Sequence, residues 1–462
     1  MENEVLLNLI TNMLHENKFS TIKDILNEMN TVDIAQVISE AGEEDQVKIF
    51  RLLPKNSSAD VFSYLESETQ EAVINSITNV EIHNLVEDMF IDDAVDFLEE
   101  VPANVVTRVL AQTSRETRET INKFLRYPED SAGSIMTAEM AAFHSRLTVD
   151  EAIDELRRTA QDKESIETCY CIDEKRKLVG VLPLRKLIVA KKGTVLESIM
   201  VDDDRLISVN TLDDQETVAE IVRKYDLLSV PVVDNENRLV GIITIDDIVD
   251  VIQEENTEDF EKMALLLPSE ENYLKTGVFK LFKNRIVWLL ILMISATFTG
   301  MIIENFEDKL ALIAGLTACI PMLMDTGGNS GNQVSTLIIR GLALGNIKVK
   351  DYFLVLWKEI RVAVMCGITL SVANFIRMWV MRMVFHSDTS TPVFFVVCIS
   401  MVLTVIIAKT IGCSLPILAK VLHLDPALMA GPMITTIVDA LSLLIYFGIA
   451  TAFIMNGALP MA

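Results

Sequence analysis

Apolar and polar residues alternate along this chain in three rhythms. Up to about residue 130 the apolar positions recur at three- and four-residue spacing in short blocks, the pattern of amphipathic helices. Three blocks share a motif, Asp33-Ile-Ala-Gln-Val-Ile, Asp60-Val-Phe-Ser-Tyr-Leu and Asp93-Ala-Val-Asp-Phe-Leu, at offsets of 27 and 33 residues. Such offsets predict helical hairpins stacked into a superhelix. Leu53-Pro54 and Val101-Pro102 punctuate the blocks. Each repeated Asp precedes its apolar run, where an aspartate reads as an N-cap.

From 131 to about 252 the rhythm changes to β-branched runs separated by helical stretches. Ile172-Asp-Glu-Lys-Arg-Lys-Leu-Val-Gly180-Val-Leu matches Val233-Asp-Asn-Glu-Asn-Arg-Leu-Val-Gly241-Ile-Ile, 61 residues later. Each copy predicts a β-hairpin followed by a helix, with upstream helices over 149–160 and 215–225. The third rhythm is nearly continuous apolarity. A spanning helix needs about 20 apolar residues, and five stretches offer them: 286–303, 310–344 with a polar interruption, 362–381, 393–422 and 427–455. The expected fold class is therefore multi-domain: an all-α superhelical domain (1–130), a tandem α/β pair (131–252), a connecting helix (253–283) and a five-helix transmembrane domain (284–462).

Charge sharpens this division. The chain carries a net charge of -26. Residues 1–275 hold 27 basic and 57 acidic side chains, a net of -30, and the remainder has a net of +4. A half so acidic lacks the basic stripe that holds a phosphate backbone, so no nucleic acid is expected as a partner. It favours cations, although a merely solvated acidic surface has the same composition. The six cysteines show no CxxC spacing and the five histidines are scattered, so neither a disulfide framework nor a transition-metal site is indicated. No GxSxG, HExxH or phosphate-loop Gly-Lys-Ser/Thr occurs, and an enzyme is not expected. The acidic start, MENEVLLNLI, is no secretory signal. Lys280, Lys283 and Arg285 before the first span, and Arg340, Lys348, Lys350, Lys358 and Arg361 between the second and third, put both clusters in the cytoplasm by the positive-inside rule. A multi-pass protein of the cell membrane follows, with 304–309 as its first outer loop, cytoplasmic N-terminal domains and an extracytoplasmic C-terminus.

Polar residues inside the apolar half are the informative ones, because intramembrane acids face a pathway or a partner. Asp439 is the only charge between Ala427 and Met455, with Thr435 and Thr436 on neighbouring turns. It reads as a pore-lining acid, the alternative being an acid that joins two helices by hydrogen bonds. Pro321-Met-Leu-Met-Asp-Thr-Gly-Gly-Asn-Ser-Gly-Asn-Gln333 interrupts the second span. Irregular backbone at that depth is tolerated where it is buried or lines water. Asn329, Asn332 and Gln333 would supply amide oxygens, and glycine-mediated helix packing is the alternative. Asp325 and Lys409 add charges that alter selectivity or lie at the pore mouths. Between the α/β pair and the membrane, a helix places Asp247, Asp250 and Glu254, and then Glu255, Glu258 and Asp259, at neighbouring positions.

The β-α-β-β-α repeat resembles a tandem pair of CBS domains, which implies adenine-nucleotide binding or a regulatory clamp. The sugar-binding pattern of that family is complete in the second copy as Gly241, Thr244 and Asp247; in the first, Pro183 and Lys186 replace the last two, so the resemblance implies at most one ATP site. The whole chain resembles the MgtE family of magnesium channels and transporters. Four motifs carry the likeness: Arg126-Tyr-Pro-Glu-Asp-Ser-Ala-Gly-Ser-Ile-Met-Thr137, Gly-Gly-Asn-Ser-Gly-Asn-Gln333, Leu424-Asp-Pro-Ala427 and Thr435-Thr-Ile-Val-Asp439.

The resemblance implies a homodimer in the lipid bilayer with one pore on its two-fold axis. There Asp439, with Gly328, Asn332 and Thr435, would bind hydrated magnesium. It further implies regulatory Mg2+ sites at Asp93, Asp96, Asp214, Glu216, Asp226, Asp247, Asp250, Glu255, Glu258 and Asp259, with Asp92 a further helical-domain candidate. Asp247 is shared with the nucleotide pattern, and the metal reading is favoured. Two carboxylates about 6 Å apart at an effective dielectric near 20 repel by roughly 3 kcal/mol. Several such pairs would hold the acidic domains apart until Mg2+ draws them together and the connecting helix closes the cytoplasmic mouth. The expected function is thus Mg2+ uptake shut by cytosolic Mg2+. Alternatives are a secondary transporter of Mn2+ or Co2+ and a non-transporting CBS-containing membrane sensor.

Overall fold

The computed structural model describes residues 2–201, 206–269, 273–274, 276–311, 315–385 and 391–455. His386 and residues 456–462, which include the expected extracytoplasmic terminus, lie outside the described residues. The chain divides into two compact units, Met1–Gln253 and Glu254–Ala462.

The first unit begins with ten short helices: α1 (Glu2–His15), α2 (Phe19–Glu28), α3 (Thr31–Glu40), α4 (Glu43–Phe50), α5 (Ser58–Ser63), α6 (Ser67–Ser76), α7 (Asn79–Glu87), α8 (Ile91–Glu100), α9 (Ala103–Gln112) and α10 (Arg115–Phe124). From α3 onward each packs on the helix two places along, giving one row of α3, α5, α7 and α9 and another of α4, α6, α8 and α10. That is the stacked-hairpin superhelix the repeat spacing predicts. One apolar stripe per helix makes the core: α8 buries Ile91, Ala94, Val95, Phe97 and Leu98. Phe62 joins α5 to its neighbours through edge-on contacts with Phe50 and Phe97, at centroid distances of 5.9 and 5.0 Å.

The N-cap reading of the repeated aspartates is corrected. The caps are Asn30, Ser57 and Phe90, and Asp33, Asp60 and Asp93 lie inside the first turns. An acid there still meets the positive end of the helix dipole, and its carboxylate is not committed to closing the helix end.

Two α/β copies follow. The first holds β1 (Met140–His144), α11 (Val149–Thr159), β2 (Ser165–Ile172), β3 (Leu178–Pro183) and α12 (Leu184–Val189). The second holds β4 (Val209–Asn210), α13 (Gln215–Tyr225), β5 (Ser229–Val233), β6 (Leu239–Thr244) and α14 (Ile245–Met263). In both sheets the middle strand pairs parallel to the first and antiparallel to the third, with Cys171 opposite Gly180 and Val232 opposite Gly241. The hairpin turns are built alike. Asp173 accepts from the Lys175 and Lys177 amides and Asp234 from those of Glu236 and Arg238, while Arg176 and Asn237 take left-handed φ of 62° and 59°. Buried Tyr170 and Ser229 hydroxyls, 2.7 Å apart, tie the copies together.

The second unit carries the end of α14 and five long helices: α15 (Val278–Ala311), α16 (Ile320–Ala343), α17 (Tyr352–Phe385), α18 (Thr391–Val421) and α19 (Gly431–Met455). Among the described residues, three segments are long and apolar enough to cross a membrane: Val278–Phe306, Thr391–Val421 and Pro426–Met455. Helix α18 packs against α16, α17 and α19. Two expectations change. The first outer loop is displaced, because α15 stays helical through Glu304 to Ala311. The Gly/Asn-rich interruption is no interruption: α16 runs unbroken through it for 24 residues. An intact helical ladder satisfies the backbone without water or irregular turns, so the glycines do not free carbonyls to point inward.

Candidate functional site

What the glycines do is bring helices together. A β-carbon on Gly412 of α18 would strike the Gly331 carbonyl oxygen of α16, so main chain meets main chain at this crossing. A β-carbon on Gly328 would come within 2.9 Å of the Thr435 methyl group, which places α19 against the same stretch. The opposite face of α16 is polar and open: Asp325, Asn329, Gln333 and Arg340 are exposed, spaced along one side of the helix, while Gly327, Gly328, Ser330 and Gly331 are buried.

On α19, Asp439 is partly buried, and Asp325 is the charged group acting on it. The Thr435 and Thr436 hydroxyls both donate to the Pro432 carbonyl, at 2.9 and 2.8 Å, which turns them toward their own backbone. Asn332 is likewise engaged, its Oδ1 accepting from the Gly431 amide at 3.0 Å. Thus Gly328 and Asn332 position α19, and the exposed amide oxygens of this segment belong to Asn329 and Gln333. Lys409 does not lie at a mouth: it is 6 % exposed within α18.

The first unit holds the densest charge. Asp92 and Asp93 on α8, Glu164 before β2 and Asp247 on α14 act on one another electrostatically, with Asp60, Glu139 and Asp246 nearby. Desolvation comes first and neighbouring carboxylates second, and together they push Asp93 up to about 6 and Glu164 to about 7. Asp96 keeps more surface in solvent, yet the surrounding protein and then the Asp93 charge raise it to about 7. Asp92 is held well above the usual carboxylate range, and among the described residues its Oδ1 is buried without a hydrogen-bond partner. A buried, unpartnered acceptor among like charges makes this cluster a candidate cation site. Asp247 is shifted upward chiefly by burial, and the Thr244 hydroxyl donating at 2.6 Å moderates the shift. Gly241 is required by packing, since a β-carbon there would lie 2.6 Å from the Thr137 carbonyl oxygen.

Of the other acids, Asp250 adds its charge to that on Asp247. Asp214 caps α13, accepting from the Glu216 amide, and Asp226 ends the same helix at φ 51°. An 11-residue helix separates them by about 16 Å, so within one chain Asp214 and Glu216 cannot share an ion with Asp226. Asp250 is exposed one turn beyond Asp247. Glu255, Glu258 and Asp259 belong to the second unit. Among the described residues, no three His, Cys, Asp or Glu side chains are gathered closely enough to hold a bare ion. Sequence reasoning missed Glu164, which sits in a loop with no periodic signal and is recruited by the pairing of its amide to the Glu139 carbonyl, at 2.9 Å.

Comparison with known proteins agrees with this architecture. Residues 29–130 match the MgtE intracellular N domain, 196–254 a CBS domain, and 320–449 the MgtE divalent cation transporter family. The magnesium transporter MgtE of Thermus thermophilus is 37% identical over 440 residues, 95% of this chain and 96% of the relative. The magnesium transporter MgtE of Bacillus subtilis is 34% identical over 451 residues, 98% of each. Among solved structures, the soluble part of a magnesium transporter aligns with a TM-score of 0.52 at 31% identity, covering 55% of this chain and 99% of that one. The cytosolic domain of the Mg2+ channel MgtE in complex with ATP aligns with a TM-score of 0.50 at 36% identity, covering 52% and 98%. By end-to-end identity with two magnesium transporters and by the order of its domains, this chain belongs to the MgtE family of divalent cation transporters.

Proposed function

We propose that the chain is a homodimeric Mg2+ channel of the cell membrane, admitting magnesium through α16 and α19 and closing when cytosolic Mg2+ binds the acids of its N-terminal half. The observation that carries the transport reading is Asp439, a lone, partly buried carboxylate in an apolar helix that packs on the glycine face of α16, with Asp325 of the polar face acting on it. That carboxylate and the exposed amide oxygens of Asn329 and Gln333 on α16 would accept hydrogen bonds from the water shell of the ion without stripping it. The identical subunit would bring the second Asp439. The basic clusters around Arg285 and Arg340 support a cytoplasmic N-terminal half and an extracytoplasmic C-terminus. We assign residues 1–130, 131–252, 253–283 and 284–462 to sensor, CBS pair, plug and pore.

The regulatory reading is supported by the carboxylates on α8 and α14. Magnesium would be held there by Asp92, Asp93, Glu164 and Asp247, with Asp96 at the rim, and would supply the positive charge these acids lack. A second group of sites would lie along Asp214, Glu216, Asp226, Asp250, Glu255, Glu258 and Asp259. ATP at Gly241, Thr244 and Asp247 is favoured by the ATP complex of the related cytosolic domain. Asp247 serves the metal first, given the crowd of acids around it.

The test is magnesium-dependent growth and uptake in a strain lacking other magnesium uptake systems. The chain should rescue it and Asp439→Ala should not, at equal membrane abundance. Equal rescue by both would remove the pore assignment. Transport of Mn2+ or Co2+ without Mg2+ would favour the secondary-transporter alternative, and no flux of any cation would favour a membrane sensor.

A further inference from the structure

We infer that Lys262 is the positioning residue of the gate: a tethered cation that latches the end of α14 onto the loop leading into the Asp439 helix. Its ammonium group lies 2.8 Å from Asp425 Oδ2 and 2.7 Å from Glu258 Oε1, one turn back on its own helix. The lysine side chain is only 23% exposed and that of Asp425 30%, so this pair is more sheltered than an ordinary surface ion pair. Asp259 and Arg340 complete the charged set around it.

The loop it grips is itself fixed to the pore helices. Asp425 Oδ1 accepts from the Ala427 amide and caps the short turn Pro426–Met429. The Ser335 hydroxyl of α16 donates to the Met429 carbonyl at 2.9 Å, and the Gly431 amide donates to Asn332 of α16. On the α14 side, a β-carbon on Gly431 would lie 3.0 Å from the Met263 carbonyl oxygen, and Arg340 donates to Asn256 at 3.2 Å. Every atom in this set belongs to the second unit. Asp439 lies eight residues beyond Gly431, about 12 Å along the helix axis. The end of α14 thereby meets the start of the Asp439 helix, and Lys262 supplies the ion pair in that contact.

A lysine differs from a bound Mg2+ in being permanently present. It biases the plug toward the loop at every magnesium concentration, and the acids elsewhere need to supply only the remainder of the closing free energy. This inference rests on the proposed closure by magnesium, and the experiment separates the two.

The full-length chain is reconstituted in liposomes, and Mg2+ flux is recorded while magnesium on the cytosolic side is varied. If the unaltered chain keeps full flux at millimolar magnesium, the closure reading itself fails. If it closes, Lys262→Met should raise the half-closing concentration about fivefold, the factor expected for a partly sheltered ion pair, with flux at low magnesium unchanged. Asp425→Asn should do the same, because asparagine still caps the turn, and the double variant should shift no further than either. Lys262→Arg should stay within about twofold. An unchanged midpoint in both single variants overturns the latch. So does a shift to lower concentration, which would make the lysine a competitor of divalent ions, and so do additive shifts. Should Lys262→Met fail to elute as the unaltered chain does, Asp425→Asn carries the test alone.

Discussion

Removing the carboxyls of Asp93 and Glu164 should stabilise the metal-free protein and abolish its response to magnesium. Asp93 rises from 3.8 to about 6, a preference of about 3 kcal/mol for the protonated form, and Glu164 from 4.5 to about 7, a preference that solvent screening makes smaller because this group is more exposed. Both feel Asp247, so the two effects overlap and together come to less than their sum. The folded chain binds more protons than the unfolded one between pH 4 and 7, and its stability therefore falls as pH rises through that window. Metal-free protein should be firmer at pH 5 than at pH 8. Magnesium restores what deprotonation removes: at a hundred times its dissociation constant it contributes about 2.7 kcal/mol. Protection by magnesium should accordingly be larger at pH 8 than at pH 5.5, with protons released on binding at intermediate pH. Limited proteolysis of the purified full-length chain, with and without magnesium at both pH values, reads this directly. Asp93→Asn with Glu164→Gln should resist digestion without metal and show a reduced pH dependence, the remainder coming from Asp92, Asp96 and Asp247. Equal magnesium protection of the unaltered chain at both pH values, or an undiminished pH slope in the double variant, would refute the electrostatic account.

Three further outcomes follow from other contacts. Asp439→Asn keeps the shape of the side chain but removes its charge, and Mg2+ uptake should drop at least a hundredfold at unchanged membrane abundance, measured as isotope or dye-reported flux. Gly412→Ala should lower thermal stability in detergent by about 1–3 kcal/mol, because its methyl group meets the Gly331 carbonyl; Gly300→Ala, with open space around it, should be neutral or slightly stabilising. Tyr170→Phe deletes the hydroxyl paired with Ser229 at 2.7 Å and should cost about 1–2 kcal/mol, seen as an earlier urea transition of the N-terminal half with little change in ion flux.

The sequence was most legible where a side chain acts within its own element. Helices 149–160 and 215–225 emerge as α11, with a short turn after it, and α13, because their apolar spacing and N-terminal Thr148 and Asp214 are local signals. The hairpins were legible because the same aspartate-anchored turn occurs twice. The Gly/Asn stretch misled for a physical reason: glycine and asparagine weaken an isolated helix, but neighbours that need close approach override the preference. Asp92 was a candidate through the family resemblance alone, whereas Glu164 was invisible, since its importance is created by elements far apart in the chain. Lys262 reads in sequence as one more base among acids, and only the folded loop at Asp425 shows what it holds.

The crossing of Gly331 and Gly412 sets a mechanical property. Where side chains separate two helices, a wall can breathe by rotamer exchange; where carbonyl faces α-carbon there is no soft spacer. The α16 face that carries Asn329 and Gln333 is therefore backed by something close to incompressible. A cage that recognises an ion through its water shell must measure a diameter rather than form bonds of fixed length, and a gauge of that kind is only as selective as its jaws are stiff. In the proposed pore, fine adjustment would belong to the residues on the open face, while the glycines behind them would keep the gap from yielding to a larger or smaller hydrate.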